Sequence, residues 1–205
     1  MLNNYQNNSS TLPTKIVCIG RNYVAHIKEL GNQVAEQMVI FLKPSSAINN
    51  ELLSVHGDEA LHFETEICFK VKAGNLAEVG VGLDLTKREL QTQLKSKGLP
   101  WERAKAFDGS ALFSEFVAIE QADIAKLEVS LRINGRLQQQ GNVELMLYKP
   151  DVILDQINEF MTLNDGDIIM TGTPAGVGKI SPGDTFSAQI HLADHLLVEQ
   201  SWVAK

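Results

Sequence analysis

The stretch Leu61–Phe69, with the sequence LHFETEICF, carries the pattern that decides how this chain folds. Its apolar residues fall on alternate positions, which is typical of a β-strand with one buried face. In an extended strand, side chains two residues apart project to the same face of the sheet. Thr65 and the apolar side chains therefore line one face, whereas Glu64 and Glu66 project together from the other.

The two carboxylates bring negative charges close together, which is unfavourable unless a positive charge lies between them. Hard divalent cations such as Mg²⁺ and Ca²⁺ prefer carboxylate and carbonyl oxygens as ligands. The pair Glu64 and Glu66 therefore indicates a metal site. On its own, a Glu-x-Glu pattern is also typical of a solvated strand face, so both interpretations stay open at this point.

The segments on either side of this stretch are mostly strands and turns. Apolar and alternating runs predict strands over residues 15–19, 38–42, 60–72, 80–85, 127–133, 167–171 and 185–192. Helical spacing and capping residues predict short helices over residues 22–30, 86–97 and 151–160, the first capped by Asn22. Asn134-Gly135 is the strongest hairpin signal in the chain. Many strands with few, short helices favour an α+β fold, or a mostly-β fold of paired sheets, over a regular βαβ alternation.

The length of the chain, 205 residues, is enough to bury one substantial core. Its composition, 44% hydrophobic and 21% charged, is typical of a globular protein. Residues 1–14 are rich in Asn, Ser and Gln and lack the basic and apolar regions of a signal peptide. We therefore expect a disordered or loosely held leader over residues 1–14 and a single domain over residues 15–205.

The net charge and the cysteines limit which binding partners and which cellular compartment we expect for the protein. A net charge of −7 disfavours a nucleic acid or an anionic membrane as partner. No run approaches the roughly 18 consecutive apolar residues that a membrane-spanning helix requires. Cys18 and Cys68 each lie within an apolar run and outside any metal-binding spacing. We therefore expect two buried free thiols in a reducing, cytoplasmic environment.

Two other segments place ionisable side chains where they can act together. His26 and Glu29 lie three residues apart in a predicted helix, hence on one face. A carboxylate beside an imidazole orients the ring and raises its basicity. Asp84 ends a strand, where it can add a third carboxylate, and Arg88 and Lys105 can bind an anionic substrate. Each feature alone is also compatible with an exposed helix, a capping Asp or solvated cations.

A glycine-rich stretch near the C-terminus, residues 172–179 with the sequence GTPAGVGK, partly matches a phosphate-binding loop. It has one residue too many before Gly-Lys, and Ile180 replaces the required Ser or Thr. Nucleotide binding is therefore disfavoured. The stretch instead predicts a tight loop after a strand, where Thr171 and Thr173 offer hydroxyl groups.

Seven short motifs make the chain resemble the fumarylacetoacetate hydrolase family, most closely its small single-domain acylpyruvase members. The matching stretches are Gly20-Arg-Asn-Tyr-x-x-His-x-x-Glu29, Phe41-Leu-Lys-Pro44, Leu61-His-x-Glu-x-Glu66, Asp84-x-Thr-x-Arg88-x-x-Gln91, Gly98-Leu-Pro-Trp101, Lys105-x-Phe-Asp108 and Thr171-Gly-Thr-Pro174. Each motif is weak alone, but seven in the family's order cover nearly the whole chain. The resemblance implies an α+β fold, a mixed β-sandwich roll with short peripheral helices, that forms a homodimer.

The resemblance also implies a role for each residue at a matching position. The metal ligands would be Glu64, Glu66 and Asp84. The catalytic residues would be His26, Glu29 and Lys105. The residues that bind substrate, a small 2-oxo acid, would be Arg21, Arg88, Gln91 and Thr173. The implied cofactor is Mg²⁺, with Mn²⁺ or Ca²⁺ as alternatives.

These roles lead us to expect a hydrolase that cleaves a C–C bond of acylpyruvates through a pyruvate enolate. A water activated by His26 and Glu29 would attack the distal carbonyl, and the metal and Lys105 would stabilise the enolate. The same enolate arises in oxaloacetate decarboxylation, in keto–enol tautomerisation and in isomerisation of 2-hydroxyhepta-2,4-diene-1,7-dioate, so these reactions stay open as alternatives. A second alternative, from another class, is a non-catalytic protein that binds a 2-oxo acid.

Overall fold

The computed structural model describes residues 12–205, so most of the predicted leader, residues 1–11, lies outside the described part of the chain. The strands within the described part are β1 Lys15–Gly20, β2 Val39–Pro44, β3 Val55–His56, β4 Glu59–Ala60, β5 His62–Phe63, β6 Thr65–Lys72, β7 Asn75–Asp84, β8 Ala111–Phe113, β9 Val117–Ala118, β10 Leu127–Ile133, β11 Arg136–Asn142, β12 Ile168–Met170, β13 Gly178–Lys179, β14 Thr185–Leu192 and β15 His195–Val203. The α-helices are α1 Val24–Glu29, α2 Arg88–Ser96, α3 Glu102–Lys105 and α4 Pro150–Asn158. Short 3-10 helices cover Ser45–Ala47, Gln121–Lys126 and Val143–Leu145.

Two sheets form the body of the molecule. The larger sheet has the order β2-β1-β12-β6-β7-β8, and β9 also pairs with β7. Strands β1 and β12 run parallel, whereas the other pairs of this sheet are antiparallel. The smaller sheet is antiparallel throughout, in the order β11-β10-β14-β15. One mixed sheet packed on an antiparallel one, with few short helices, confirms the predicted α+β, β-sandwich-type fold.

The apolar core lies between the sheets, because β10, β14 and β15 pack on β6 and β7. It combines Ile67 and Phe69 of the larger sheet with Val129 and Ile190 of the smaller one. Each of these side chains is at most 1% exposed. Burying a side chain of this size contributes about 1.5–3 kcal/mol, so the alternating face predicted for residues 61–69 supplies a large part of the stability.

The predicted strand over residues 60–72 is divided in the structure. Strands β4, β5 and β6 pair with different partners, namely β3, β13 and the pair β7 and β12. Nevertheless, one register runs through the break at Glu64: His62 lies opposite Thr86, and Thr65 lies opposite Leu83. The alternation of faces therefore survives the division. The sequence pattern shows this alternation but not where the partners change.

The first helix differs from its prediction at its beginning. Helix α1 starts at Val24, after Tyr23, and Asn22 does not cap it. The Asn22 amide is fully buried and instead donates to the backbone oxygens of Tyr148 and Thr171. Its side-chain oxygen accepts from the Tyr148 backbone N–H. A residue that caps helices well is thus used to join distant segments of the chain.

Two other expectations concern thiols and membranes. Cys18 and Cys68 are free and buried, as predicted. Burial, followed by the negative charge of Asp84 for Cys18 and of Glu66 for Cys68, raises the pKa of both thiols, so they stay protonated. Among residues 12–205, no helix is both long enough and apolar enough to span a membrane.

Candidate active site

Three carboxylates meet where β6 begins and β7 ends. Glu64 directly precedes β6, Glu66 is its second residue, and Asp84 is the last residue of β7. The antiparallel register brings Asp84 beside Glu64, whose backbone oxygen accepts from the Asp84 N–H at 2.8 Å. One oxygen from each carboxylate lies within 4.8 Å of the others, and all three side chains are buried. We call this group the acid triad.

Lys105 places an ammonium group inside the acid triad. It is the last residue of the short helix α3 and is 2% exposed. Its Nζ donates to Glu64 Oε2 at 2.8 Å, to Asp84 Oδ2 at 2.7 Å and to Thr86 Oγ1 at 2.6 Å. A buried cation with two carboxylate partners is strongly constrained in position.

Two further cations balance the triad from either side. Lys43, in β2, is fully buried; its Nζ lies 2.8 Å from Asp84 Oδ1 and donates to the backbone oxygens of Lys105 and Ser110. Arg88, the first residue of α2, donates to Glu64 Oε1 and, at 2.8 Å, to Gln91 Oε1. Sequence reasoning missed Lys43, because a buried lysine depends on partners distant in the chain. Its place in the Phe41–Pro44 motif was the available signal.

The cations act unequally on the triad. Burial alone would raise the pKa of Glu64, but Lys105 and Arg88 outweigh it and hold the pKa well below the usual range. Burial would likewise lower the pKa of Lys105, but Asp84 and Glu64 raise it, so the ammonium stays protonated. Burial and the charges of Asp84 and Glu64 raise the pKa of Glu66 well above its usual value.

Glu66 shows that the triad fits a divalent cation. Within residues 12–205 it forms no ion pair, and its Oε2 accepts a single hydrogen bond of 2.7 Å from the Gly172 N–H. A buried carboxylate without a cation is costly, and a hard metal ion bound by three carboxylates would remove that cost. The donor set, all oxygen and all carboxylate, suits Mg²⁺, Mn²⁺ or Ca²⁺.

His26 and Glu29 lie together on α1, as their spacing predicted. Nδ1 of His26 is 3.2 Å from Glu29 Oε2. The other carboxylate oxygen, Oε1, accepts from the Gly176 N–H at 2.9 Å. His26 is buried and lines the same cleft as the acid triad. One carboxylate oxygen of Glu29 thus holds the His26 ring, and the other holds the backbone of the glycine-rich loop.

Thr173 lies at the edge of the triad, and its hydroxyl is already engaged. Its Oγ1 donates to the Thr65 backbone oxygen at 2.8 Å and accepts from Gln139 Nε2 at 2.8 Å. Gln139, which is buried, also bonds to Pro174 O and to Thr65 N–H. Sequence reasoning missed Gln139, because it lies on β11, whose pattern indicates only a hairpin strand.

One cleft gathers the predicted site residues. All of them except Glu29 line it, and Glu29 reaches it through His26. The side chains of Asn32, Phe41, Lys95 and Trp101 line it as well and were not predicted. The sequence contained a signal for Lys95, because this residue lies four positions after Gln91 and hence on the same face of α2.

Comparisons with known proteins find relatives that match most of this chain. A family model described as Fumarylacetoacetate (FAA) hydrolase C-terminal matches residues 15–196. Oxaloacetate tautomerase FAHD1, mitochondrial, from Arabidopsis thaliana is 40% identical over 192 residues, which span 86% of each protein. The match therefore includes every residue of the acid triad and the cations around it.

Two solved structures share the fold. A crystal structure described as a fumarylacetoacetate isomerase/hydrolase from Oleispira antarctica superposes with a TM-score of 0.88, at 39% identity and over 94% of each chain. The crystal structure of fumarylpyruvate hydrolase from Pseudomonas aeruginosa, in complex with Mn²⁺ and pyruvate, has a TM-score of 0.84 at 26% identity. It covers 96% of this chain and 92% of its own.

Proposed function

The chain belongs to the fumarylacetoacetate hydrolase family, and from this premise we propose that it is an oxaloacetate tautomerase, which interconverts the keto and enol forms of this 2-oxo dicarboxylic acid. The similarity to a relative with that name supports the tautomerase alternative over the acylpyruvate hydrolysis that the sequence first indicated. The structural observation that supports enolate chemistry is Lys105, a cation held between Glu64 and Asp84 where enolate charge would develop, and the choice of tautomerisation rests on the similarity to that relative.

The acid triad would bind the cofactor. When bound by Glu64, Glu66 and Asp84, Mg²⁺ or Mn²⁺ would supply Lewis acidity that favours the enolate form of a 2-oxo acid. The neighbour crystallised with Mn²⁺ and pyruvate supports this assignment, because it pairs a divalent metal with a 2-oxo acid on the same fold. Ca²⁺ fits the oxygen donor set but is a weaker Lewis acid.

The proton transfer belongs to His26. Because Nδ1 faces Glu29, the carboxylate favours the tautomer with a proton on Nδ1 and leaves Nε2 basic. In our proposal, Nε2 takes a proton from C3 of oxaloacetate, and the electrons of that C–H bond form the enolate. His26 then gives this proton to the C2 oxygen, directly or through a water, which yields the enol and restores the neutral ring, and the reverse steps return the keto form. Lys105 keeps its proton and stabilises the enolate charge throughout.

The substrate would be oriented by polar groups around the triad. Arg88 and Gln91 line the cleft from α2, Arg21 from the end of β1, and Thr173 from the loop after β12. We propose that they position the 2-oxo acid so that C3 faces His26. Holding the reacting groups in contact replaces an encounter between separate molecules and can lower the barrier by several kcal/mol, about 7–11 in the best cases.

Acylpyruvate hydrolysis is the second candidate. The Pseudomonas neighbour is named fumarylpyruvate hydrolase, and hydrolysis needs the same enolate together with a water activated by His26 and Glu29. The two reactions differ in whether the base takes a proton from carbon or from water.

The decisive experiment compares the two reactions on one preparation with Mg²⁺. Enol decay of oxaloacetate and hydrolysis of acetylpyruvate are followed by ultraviolet absorbance, each against buffer that contains the same Mg²⁺. We expect the protein to accelerate tautomerisation far more than hydrolysis, and a chelator to abolish the effect. Fast acetylpyruvate hydrolysis without tautomerisation would replace the first candidate by the second.

A further inference from the structure

The cations of the cleft are not all used by the acid triad. Lys43, Arg88 and Lys105 each contact a carboxylate of the triad. Arg21 and Lys95 also line the cleft, but within residues 12–205 neither forms an ion pair. The cleft thus contains two positive charges beyond those that balance its own carboxylates.

Arg21 is held in a conformation that does not favour an ordinary side chain. Its φ is +59°, in the left-handed region, which is unfavourable for a residue other than glycine. Its Nε is buried and has no hydrogen-bond partner within the described residues. A buried guanidinium donor without an acceptor is destabilising unless a ligand supplies one.

Lys95 is also incompletely satisfied. Its Nζ donates to the neutral Asn32 Oδ1 at 3.0 Å and lies 5.6 Å from the centre of the Trp101 ring. Burial lowers the pKa of Lys95, and the neighbouring positive charges of Arg21 and Arg88 lower it further. Like charges gathered in a half-buried cleft repel one another, and an anion would relieve that repulsion.

We propose that Arg21 and Lys95 bind the second carboxylate of the substrate, the one that does not reach the metal site. This assignment rests on the proposed function for the identity of the substrate. It makes the two residues specificity-determining: a 2-oxo acid with a charged tail would bind tightly, and one with an uncharged tail would not. Guanidinium and ammonium donors both suit a carboxylate through charge-assisted hydrogen bonds.

Malate and lactate test the subsite without turnover. Both present a 2-hydroxy acid to the metal, but only malate has a second carboxylate. With Mg²⁺ present, calorimetry should show malate binding to the wild-type protein about tenfold or more tighter than lactate, the worth of a charge-assisted hydrogen bond. Equal affinities would overturn the proposal.

Substitution of Lys95 identifies the donor. Lys95→Gln should remove most of the malate preference and leave lactate affinity unchanged, whereas Lys95→Arg should retain the preference. Lys97→Gln is the matched control, because Lys97 is an exposed lysine two residues further along the chain. Arg21→Gln should act in the same direction as Lys95→Gln. A malate preference in Lys95→Gln as large as in wild type would refute the assignment.

Kinetics separate the subsite from the reaction. Lys95→Gln should raise the KM for oxaloacetate about tenfold with a smaller change in kcat, because it removes binding common to ground and transition states. If the wild-type protein does not tautomerise oxaloacetate but its preference for malate depends on Lys95, the proposed function is wrong and the carboxylate subsite is supported. If the protein tautomerises oxaloacetate and Lys95→Gln leaves both the KM and the malate preference unchanged, only the subsite proposal is wrong.

Discussion

Glu64 and Glu66 lie two residues apart, yet their surroundings differ in charge. Glu64 has Lys105 and Arg88 as ion-pair partners. Glu66 has none among the described residues and is close to two other carboxylates. Neutralising each side chain in turn should therefore change stability in opposite directions.

We predict that, in the metal-free protein at neutral pH, Glu66→Gln raises the free energy of unfolding by roughly 1 kcal/mol, because it removes a buried carboxyl group whose ionised form the fold disfavours. Glu64→Gln should lower it by about 3 kcal/mol or more, because Lys105 and Arg88 lose a carboxylate partner. Urea unfolding in the presence of a chelator measures both. Destabilisation of equal size in the two variants would contradict this account of the charges.

His26 gives the second prediction at this scale. His26→Ala should lower the rate of tautomerisation by about 100-fold or more, the usual contribution of a general base, while Mg²⁺ binding is retained. His195→Ala, at an exposed histidine on β15, is the control and should be neutral. Turnover and Mg²⁺ titration on the same samples separate the two effects. Full activity in His26→Ala would exclude the ring from proton transfer.

At this scale, the sequence predicts the side chains whose partners lie nearby in the chain. Glu64 with Glu66, and His26 with Glu29, are visible as spacings of two and three residues. Lys43 and Gln139 are not, because their burial depends on Asp84 and Thr173, which are distant in sequence. No local rule predicts such a contact.

The β6–β7 pair is the element on which the site depends. Gly82 lies opposite Glu66, and a Cβ there would be 2.6 Å from Cys68 Sγ and 2.9 Å from Phe113 Cδ1. A side chain at this position would therefore clash with the side chains of Cys68 and Phe113 beside the acid triad.

We predict that Gly82→Ala destabilises the protein by about 1–3 kcal/mol, the usual cost of overpacking a core. Adding Cys68→Ala should recover part of the loss, because it removes the closest atom. Thermal unfolding of the single and double variants measures the coupling. Wild-type stability in Gly82→Ala would show that the strands accommodate the methyl group.

Asp167, just before β12, joins the beginnings of β1 and β12, two inner strands of the larger sheet. Its Oδ1 accepts from Thr14 N–H, Thr14 Oγ1 and Lys15 N–H, and its Oδ2 accepts from Asn164 N–H and Lys15 Nζ. Burial alone would raise the pKa of Asp167, but these hydrogen bonds, led by that of Lys15, lower it below 3.8. The ionised form is therefore the one that stabilises the fold.

We predict that Asp167→Asn costs about 2 kcal/mol at neutral pH, in the range for hydrogen bonds to a charged group. Because the folded pKa is depressed, this contribution is present above pH 3.8 and is lost as the pH falls through the folded value. Wild type and variant should therefore converge in stability at acid pH. Asp165→Asn, at an exposed turn position, is the control. A difference that persists unchanged into strong acid would argue for a purely steric effect.

Among the elements, those with a clear alternating or helical pattern of their own were predictable and those without one were not. Strand β14 has the predicted bounds, and α2 ends before Gly98 as expected. The two-residue strands β5 and β13 exist only because each is the other's partner, so neither has a pattern of its own. Strand β15 was not predicted at all, although it pairs along its length with β14.

At the scale of the whole molecule, metal binding should couple to folding. The triad is divided between β6 and β7, and Lys105 reaches it from α3. A ligand that binds only the folded state stabilises it by about 2.7 kcal/mol at 100 times its Kd. For a protein of this size, that corresponds to a rise in Tm of about 5–10 °C.

We therefore expect Mg²⁺ or Mn²⁺ to raise the Tm by about 5 °C or more, and a chelator to reverse the rise. Asp84→Asn, which removes one carboxylate of the triad, should show a much smaller response. Scanning calorimetry across a metal titration gives the measurement. An equal response in wild type and in Asp84→Asn would place the stabilising ion elsewhere.

Light scattering on the same samples would test the homodimer, which stays a prediction from the family.

The contact between Glu29 and Gly176 has a consequence for tolerance to mutation. Gly176 has a φ of +103°, and a Cβ there would lie 2.2 Å from the backbone oxygen of Gln138. Any replacement would displace the peptide whose N–H steadies Glu29. A position without a functional group of its own would then rank among the most sensitive in a saturation screen, because a variant there would also disturb the contact between Glu29 and His26.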